Sequence, residues 1–167
     1  MHIFIIVILL NIAIDLLKLY LKSILNRLNG NKILIPFDNV LFRKITMPII
    51  ELYINEVPLY FVVDSGAAYS TLNKSELEHL EYENLKEKDG GTYGIDGNII
   101  PVSSATLNLH YDKHCFKQSF QLVDLSGAFT NMEMEYGVKI VGLLGDDFFL
   151  KYGAIIDFNK LIVSMKK

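Results

Sequence analysis

At 167 residues with 51% hydrophobic side chains, the chain suffices for one sizeable core and is short for two independent domains. A net charge of −3 without a basic patch gives no support to nucleic-acid binding, and a single cysteine excludes an intrachain disulfide. Ile3 to Leu10 is wholly apolar, and the pattern continues through Leu17 interrupted by Asn11 and Asp15. As a helix, Ile3 to Leu17 would span only about 22 Å, short of the roughly 30 Å hydrocarbon core, and extension to Leu21 with Lys18 snorkelling would bring it close to a crossing. Asn11, Asp15, Lys18 and Lys22 share one helical face, which favours a helix lying in a membrane interface or docked on protein. A membrane anchor is the leading expectation, the interfacial or docked helix is the alternative, and a cleaved signal peptide is disfavoured by an amino-terminal region without Lys or Arg. Lys18, Lys22, Arg27 and Lys32 follow the segment, which would leave the remainder of the chain on the cytoplasmic side. Asn29-Gly30-Asn31 reads as a helix stop, dividing residues 1–30 from a globular domain over 31–167.

In that domain Ile33 to Phe37 reads as an edge strand, since Pro36 is tolerated only there, and Val40 to Met47 as a further candidate strand. Ile50, Leu52 and Ile54 alternate with Glu51, Tyr53 and Asn55. Asn55-Glu56 supplies a turn, and Pro58 to Val63 returns as a strand that delivers Asp64 into Ser65-Gly66-Ala67. An ionised carboxylate ending so apolar a strand must be hydrogen-bonded, paired or put to chemical use. Ser65 is a hydrogen-bonding neighbour, and Gly66 permits an approach that a Cβ would block.

Further along, the run from Glu76 to Asp89, interleaved with Lys74, Lys86 and Lys88, reads as a solvated helix and loop. Gly90 to Asn98 is glycine-rich, and Asp96-Gly97 is a strong hairpin signal because a type I′ turn needs positive φ at both central positions. Val102 to Leu109 and Phe116 to Val123 read as strands, with Asp112-Lys113 and Ser126-Gly127 as turns and Ala128 to Gly137 as a loop or short helix. His110, His114 and Cys115 lie close in sequence but lack a fourth ligand and a zinc-like spacing, so no metal is expected. Ile140 to Leu144 is apolar, Gly145 precedes a short helix begun by Asp146 and Asp147, and Ala154 to Val163 reads as a closing hairpin around Asn159-Lys160.

The apolar run into Asp64-Ser65-Gly66-Ala67, the glycine-rich hairpin and the run from Ile140 to Leu150, read as an apolar-apolar-Gly segment and a short helix after it, in that order, resemble the retropepsin-like aspartic proteases. The resemblance covers roughly Ile33 to Val163 and implies a mostly β, closed single-lobe barrel with a flap hairpin and a short carboxy-terminal helix. It implies an endopeptidase without a cofactor. Asp89-Gly90 and Asp96-Gly97 lack the preceding apolar run and the intervening hydroxyl residue, so they read as turns and leave only one Asp-Ser-Gly in the chain.

A catalytic pair would therefore come from a homodimer in which Asp64 faces its symmetry mate. Two such carboxylates cannot both ionise cheaply and share a proton. The ionised member would activate a water and the protonated member would polarise the scissile carbonyl. Ser65 would orient the carboxylate and Gly66 would let the two turns approach. Ala67, with Tyr93, Gly94 and Ile95 of the flap, would contact a polypeptide bound as an extended strand. Each residue has a plainer reading: an Asp-Ser-Gly turn can simply end a strand, and Tyr93 can be a cross-strand packing residue. The rival functions are a noncatalytic dimeric module that grips extended peptides, and a membrane-tethered assembly protein whose helix drives oligomerisation.

Overall fold

The computed structural model describes residues 11, 13–18, 20, 21, 32–93 and 99–166. The chain divides into two compact units, residues 1–33 with 167, and residues 34–166. In the first, the described residues between Asn11 and Leu21 are helical and exposed, with Lys18 Nζ 3.3 Å from Asp15 Oδ1. Most of the expected hydrophobic helix, including Ile3 to Leu10 and the Asn29-Gly30-Asn31 stop, lies outside the described residues. No helix among the described residues is long and apolar enough to cross a membrane.

The elements in chain order are β1 (Lys32–Pro36), α1 (Asn39–Ile45), β2 (Ile49–Ile54), β3 (Val57–Val63), β4 (Thr71–Asn73), a 3-10 helix (Lys74–His79), β5 (Glu83–Tyr93), β6 (Ile99–Tyr111), β7 (His114–Val123), α2 (Ser126–Tyr136), β8 (Ile140–Leu144), α3 (Asp146–Tyr152), β9 (Ile155–Asp157) and β10 (Ile162–Lys166). The larger sheet runs β2-β3-β8-β4-β7-β6-β5, and a further pairing of β2 with β6, Tyr53 opposite His110, closes it into a barrel that leaves β5 outside the ring. A three-stranded sheet, β1-β10-β9, has β1 at its edge, where Pro36 costs no ladder hydrogen bond.

Local chemistry accounts for the tight connections. Asn55 and Glu56 take φ of 47° and 67° between Ile54 and Val57, the conformation of a two-residue hairpin turn. The apolar run of β3 is continuous because both of its faces are covered. Phe61 stacks on Phe120 at 5.6 Å between ring centroids, whereas Val62 joins Leu41, Ile49 and Ile140 in a cluster on the other side. Helices α1 and α2 cover that cluster, α2 through Phe129, Met132 and Tyr136, spaced to share one helical face.

Several sequence expectations are corrected here. Val40 to Met47 is not a strand. Asp38 caps α1, its Oδ1 accepting from Val40 N and Leu41 N at 2.9 Å each, and Leu41 and Ile45 fall on one face. Ser126-Gly127 opens α2 instead of forming a free turn. Glu83 to Asp89 belongs to β5 and not to a solvated loop, and Asp89-Gly90 lies within that strand at an irregularity between Glu87 and Gly91. Glu76 is 9% exposed and pairs with Lys139 Nζ at 2.7 Å, so this carboxylate belongs to the interior.

The β9–β10 connection supplies a first expected result. Asp157 Oδ1 accepts from Asn159 N at 3.1 Å and Lys160 N at 3.0 Å, and Oδ2 lies 3.1 Å from Lys160 Nζ. The Lys160 backbone N–H, then its ammonium group, hold the Asp157 carboxyl below its ordinary value of 3.8. A lowered folded-state value stabilises the fold above the unfolded value, and that stabilisation is lost as pH falls through the folded one. Asp157→Asn is therefore expected to lower the urea midpoint at neutral pH, with the difference from wild type shrinking as pH is taken down to about 2.

Candidate active-site turn

Asp64 owes its position to a crossing. β3 and β8 run parallel, with Val63 opposite Leu144, and β4 pairs with the other side of β8, Leu72 opposite Gly142. The loop from Asp64 to Ser70 must therefore arch over the end of β8 to pass from one of its neighbours to the other. Consecutive residues of the β8–α3 junction grip the arch. Asp64 N donates to Leu144 O at 2.9 Å, Asp146 N to Ala67 O at 2.8 Å, and Asp147 N to Ala68 O at 3.3 Å. Gly145 N donates to Ser70 Oγ at 3.1 Å.

This closeness explains two glycines. A Cβ at Gly145 would stand 2.6 Å from Ala67 O, and one at Gly142 would stand 2.2 Å from Thr71 O. Both obstacles are backbone atoms that no rotamer change can move.

Within the arch, Gly66 N donates to Asp64 Oδ1 at 2.9 Å and Ala67 N to Asp64 O at 3.2 Å. The turn thus holds its own carboxylate, with one oxygen engaged by the backbone. Asp64 and Ala67 are half-buried, and Ser65 and Gly66 are exposed, so the tip of the arch faces solvent. A carboxylate so placed can accept a proton from a bound water or pair with a group arriving from outside the chain.

The flap residues divide. Tyr93 ends β5 opposite Ile99 of β6, so its strand and the returning one form the expected hairpin arms. Gly94 and Ile95, with the Asp96-Gly97 turn, lie outside the described residues. Asp64, Ser65, Gly66 and Ala67 come together as one turn. His110 and Cys115 are exposed at the end of the β6–β7 hairpin, and among the described residues no group of three or more His, Cys, Asp or Glu side chains is placed to hold a metal ion.

Sequence reasoning missed what lies beneath the arch. Asp147 begins α3 as expected, but its carboxylate turns inward. Oδ1 accepts from Ser70 N at 2.8 Å, Ser70 Oγ at 2.7 Å and Phe148 N at 2.8 Å, and Oδ2 accepts from Gln118 Nε2 at 2.8 Å. Ser70 is fully buried and Gln118 is 2% exposed. The available signal was Gln118 itself, a polar residue among the inward positions Phe116, Phe120 and Leu122 of β7.

Neither a protein-family model nor a curated protein matches the sequence. Among solved structures, the fold is similar to the EIAV protease complexed with the inhibitor HBY-793, at 20% identity over 67% of this chain and 93% of that one, with a TM-score of 0.49. It is also similar to a retropepsin-like aspartic protease from Rickettsia conorii, at 20% identity over 80% of this chain and 89% of that one, with a TM-score of 0.48.

Proposed function

We propose that the chain is an aspartic endopeptidase that works as a homodimer, with Asp64 of two copies forming the catalytic pair. The observation that carries this reading is the arch. A half-buried carboxylate is held beside the solvent-facing tip of a loop fixed to the β8–α3 junction, and a chain with a single Asp-Ser-Gly needs a second copy to supply the partner carboxylate. An isologous contact around a two-fold axis would bring the two tips together.

In the proposed reaction one Asp64 is ionised and its mate protonated. The ionised carboxylate removes a proton from a water held between the two as that water attacks the scissile carbonyl, and the protonated carboxyl donates a hydrogen bond to the carbonyl oxygen. The tetrahedral intermediate collapses as the leaving amine is protonated. No covalent enzyme intermediate is formed. Ser65 would orient the carboxylate, Gly66 would allow the two turns to approach, and Ala67 with the tip of the β5–β6 hairpin would contact an extended peptide and exclude water.

The test is cleavage of a diverse peptide mixture by the full chain from pH 4 to 7 over a range of protein concentrations. The expected result is endoproteolysis with rates rising faster than linearly with concentration, as a weak dimer requires. A folded, demonstrably dimeric protein that cuts nothing would sink the reading in favour of a peptide-binding module.

A further inference from the structure

We infer that Asp147, working with Ser70 and Gln118, is a positioning residue for the Asp64 carboxylate; this rests on the proteolytic reading above. The junction that grips the arch does so mainly through backbone atoms, and Asp147 is the side chain that grips back. It takes the arch's last residue, Ser70, by both backbone N–H and hydroxyl, and the same hydroxyl accepts from Gly145 N. Asp147 and Ser70 are 77 positions apart in sequence and meet just beyond the β4–β8 pairing, where the carboxylate adds side-chain bonds to the backbone grip.

Gln118 carries the connection further. Its Nε2 donates to Asp147 Oδ2, with Ser70 Oγ at 3.3 Å and Ser119 O at 3.2 Å also in reach. It stands on β7, which pairs along its length with β6, the strand that descends from the β5–β6 hairpin. Asp147 is thus the meeting point of the arch, the α3 amino terminus and the sheet that bears the hairpin. A fold needing only a stable core would fill the Gln118 position with an apolar residue like its neighbours Phe116 and Phe120. Placing a buried amide and a carboxylate there fixes one geometry at the root of the loop whose tip must meet a symmetry mate. Reacting groups are sensitive to this: a displacement of about 1 Å can cost on the order of 100-fold in rate.

Two substitutions separate positioning from general damage. Asp147→Ala removes every acceptor that Ser70 uses. Asp147→Asn keeps Oδ1 for Ser70 and Phe148 and exchanges only Oδ2 for an amide. Gln118 Oε1 is buried without a hydrogen-bond partner, so rotation of the Gln118 amide would let it accept from the new amide, at the expense of the bonds to Ser119 O and Ser70 Oγ.

The experiment uses the full chain, with oxidised insulin B chain as substrate and the amide proton of Gly66 as a second readout, since Gly66 N donates to Asp64 Oδ1. Asp147→Ala is expected to lower kcat about 100-fold with KM little changed, to shift the acid limb of the pH–rate profile, and to move the Gly66 amide resonance. Asp147→Asn is expected to restore most of kcat and the resonance. Should Asp147→Ala not fold, Gln118→Met removes one arm of the network at similar volume and is expected to lower kcat about tenfold with the same KM.

A folded Asp147→Ala with wild-type kcat, or one that raises KM alone because the side chain contacts substrate, would overturn the inference. So would an unmoved Gly66 resonance, and that result stands even if the wild type proves to cut nothing. An inactive wild type would count against the proteolytic reading and leave the Gly66 measurement to decide the positioning.

Discussion

Asp64→Asn is expected to leave a folded protein that cleaves peptides at least about 1,000-fold more slowly than wild type. Asparagine has nearly the same shape, and its Oδ1 can still accept from Gly66 N as Asp64 Oδ1 does at 2.9 Å. The arch is held elsewhere, by Leu144 O, Asp146 N and the Ser70–Asp147 bonds, so nothing in the loop depends on the charge. What is lost is the base. An amide cannot take a proton from water, and a pair of amides has neither the ionised nor the protonated member the chemistry needs. Residual activity near the wild-type rate in a variant shown by circular dichroism to be folded would end the aspartic-protease reading. In the same assay, retained affinity for uncleaved peptide would show that substrate binding outlives the chemistry.

The second large effect concerns the fold. Gly142→Ala would put a Cβ 2.2 Å from Thr71 O, where ordinary contact requires more than 3 Å. Relief means pushing β4 away from β8, and β4 is a three-residue strand whose other side pairs with β7. Overpacking of this kind costs about 3 kcal/mol or more, a large part of the roughly 5–15 kcal/mol that holds a domain folded. Gly145→Ala meets three backbone atoms, Ala67 O at 2.6 Å, Tyr69 C at 2.7 Å and Tyr69 O at 2.9 Å, and should be comparably damaging.

Gly127→Ala is the matched control. Its Cβ would meet nothing within 4 Å, and the position lies in α2, so a change between neutral and about 1 kcal/mol of stabilisation is expected. Urea unfolding of the three variants beside wild type reads all of these values. If Gly142→Ala unfolded at the same urea concentration as Gly127→Ala, the close approach of β4 to β8 would be refuted, and the same result for Gly145→Ala would refute the close crossing of the arch over the end of β8.

The features readable from the sequence were those in which neighbouring residues suffice. The β2–β3 hairpin follows from alternation plus Asn55-Glu56, and the apolar run into Asp64 follows from a strand buried on both faces. The α1 region failed because Val40 to Met47 fits strand and helix alike over so short a window, and Asp38, the cap that decides the matter, lay two residues outside it. Glu76 was misjudged for a different reason. Its counter-ion, Lys139, is far along the chain, and no local pattern reveals that a carboxylate will be buried beside a distant lysine. Asp147 combines both cases: its place in the first turn of α3 was legible, whereas the inward turn of its carboxylate depends on Ser70 and Gln118 arriving from elsewhere.

The arch also sets a schedule for the growing chain. The bonds by which the β8–α3 junction grips the arch all come from Leu144 onward, so a ribosome-bound chain that has made the turn, the β5–β6 hairpin and β7 still lacks that grip on its carboxylate. Synthesis at roughly 5–20 residues per second leaves several seconds between emergence of the turn and emergence of its grip. Under the proteolytic reading, an incomplete or carboxy-terminally truncated chain would be latent, unable to digest its neighbours until β8 has slid beneath the loop.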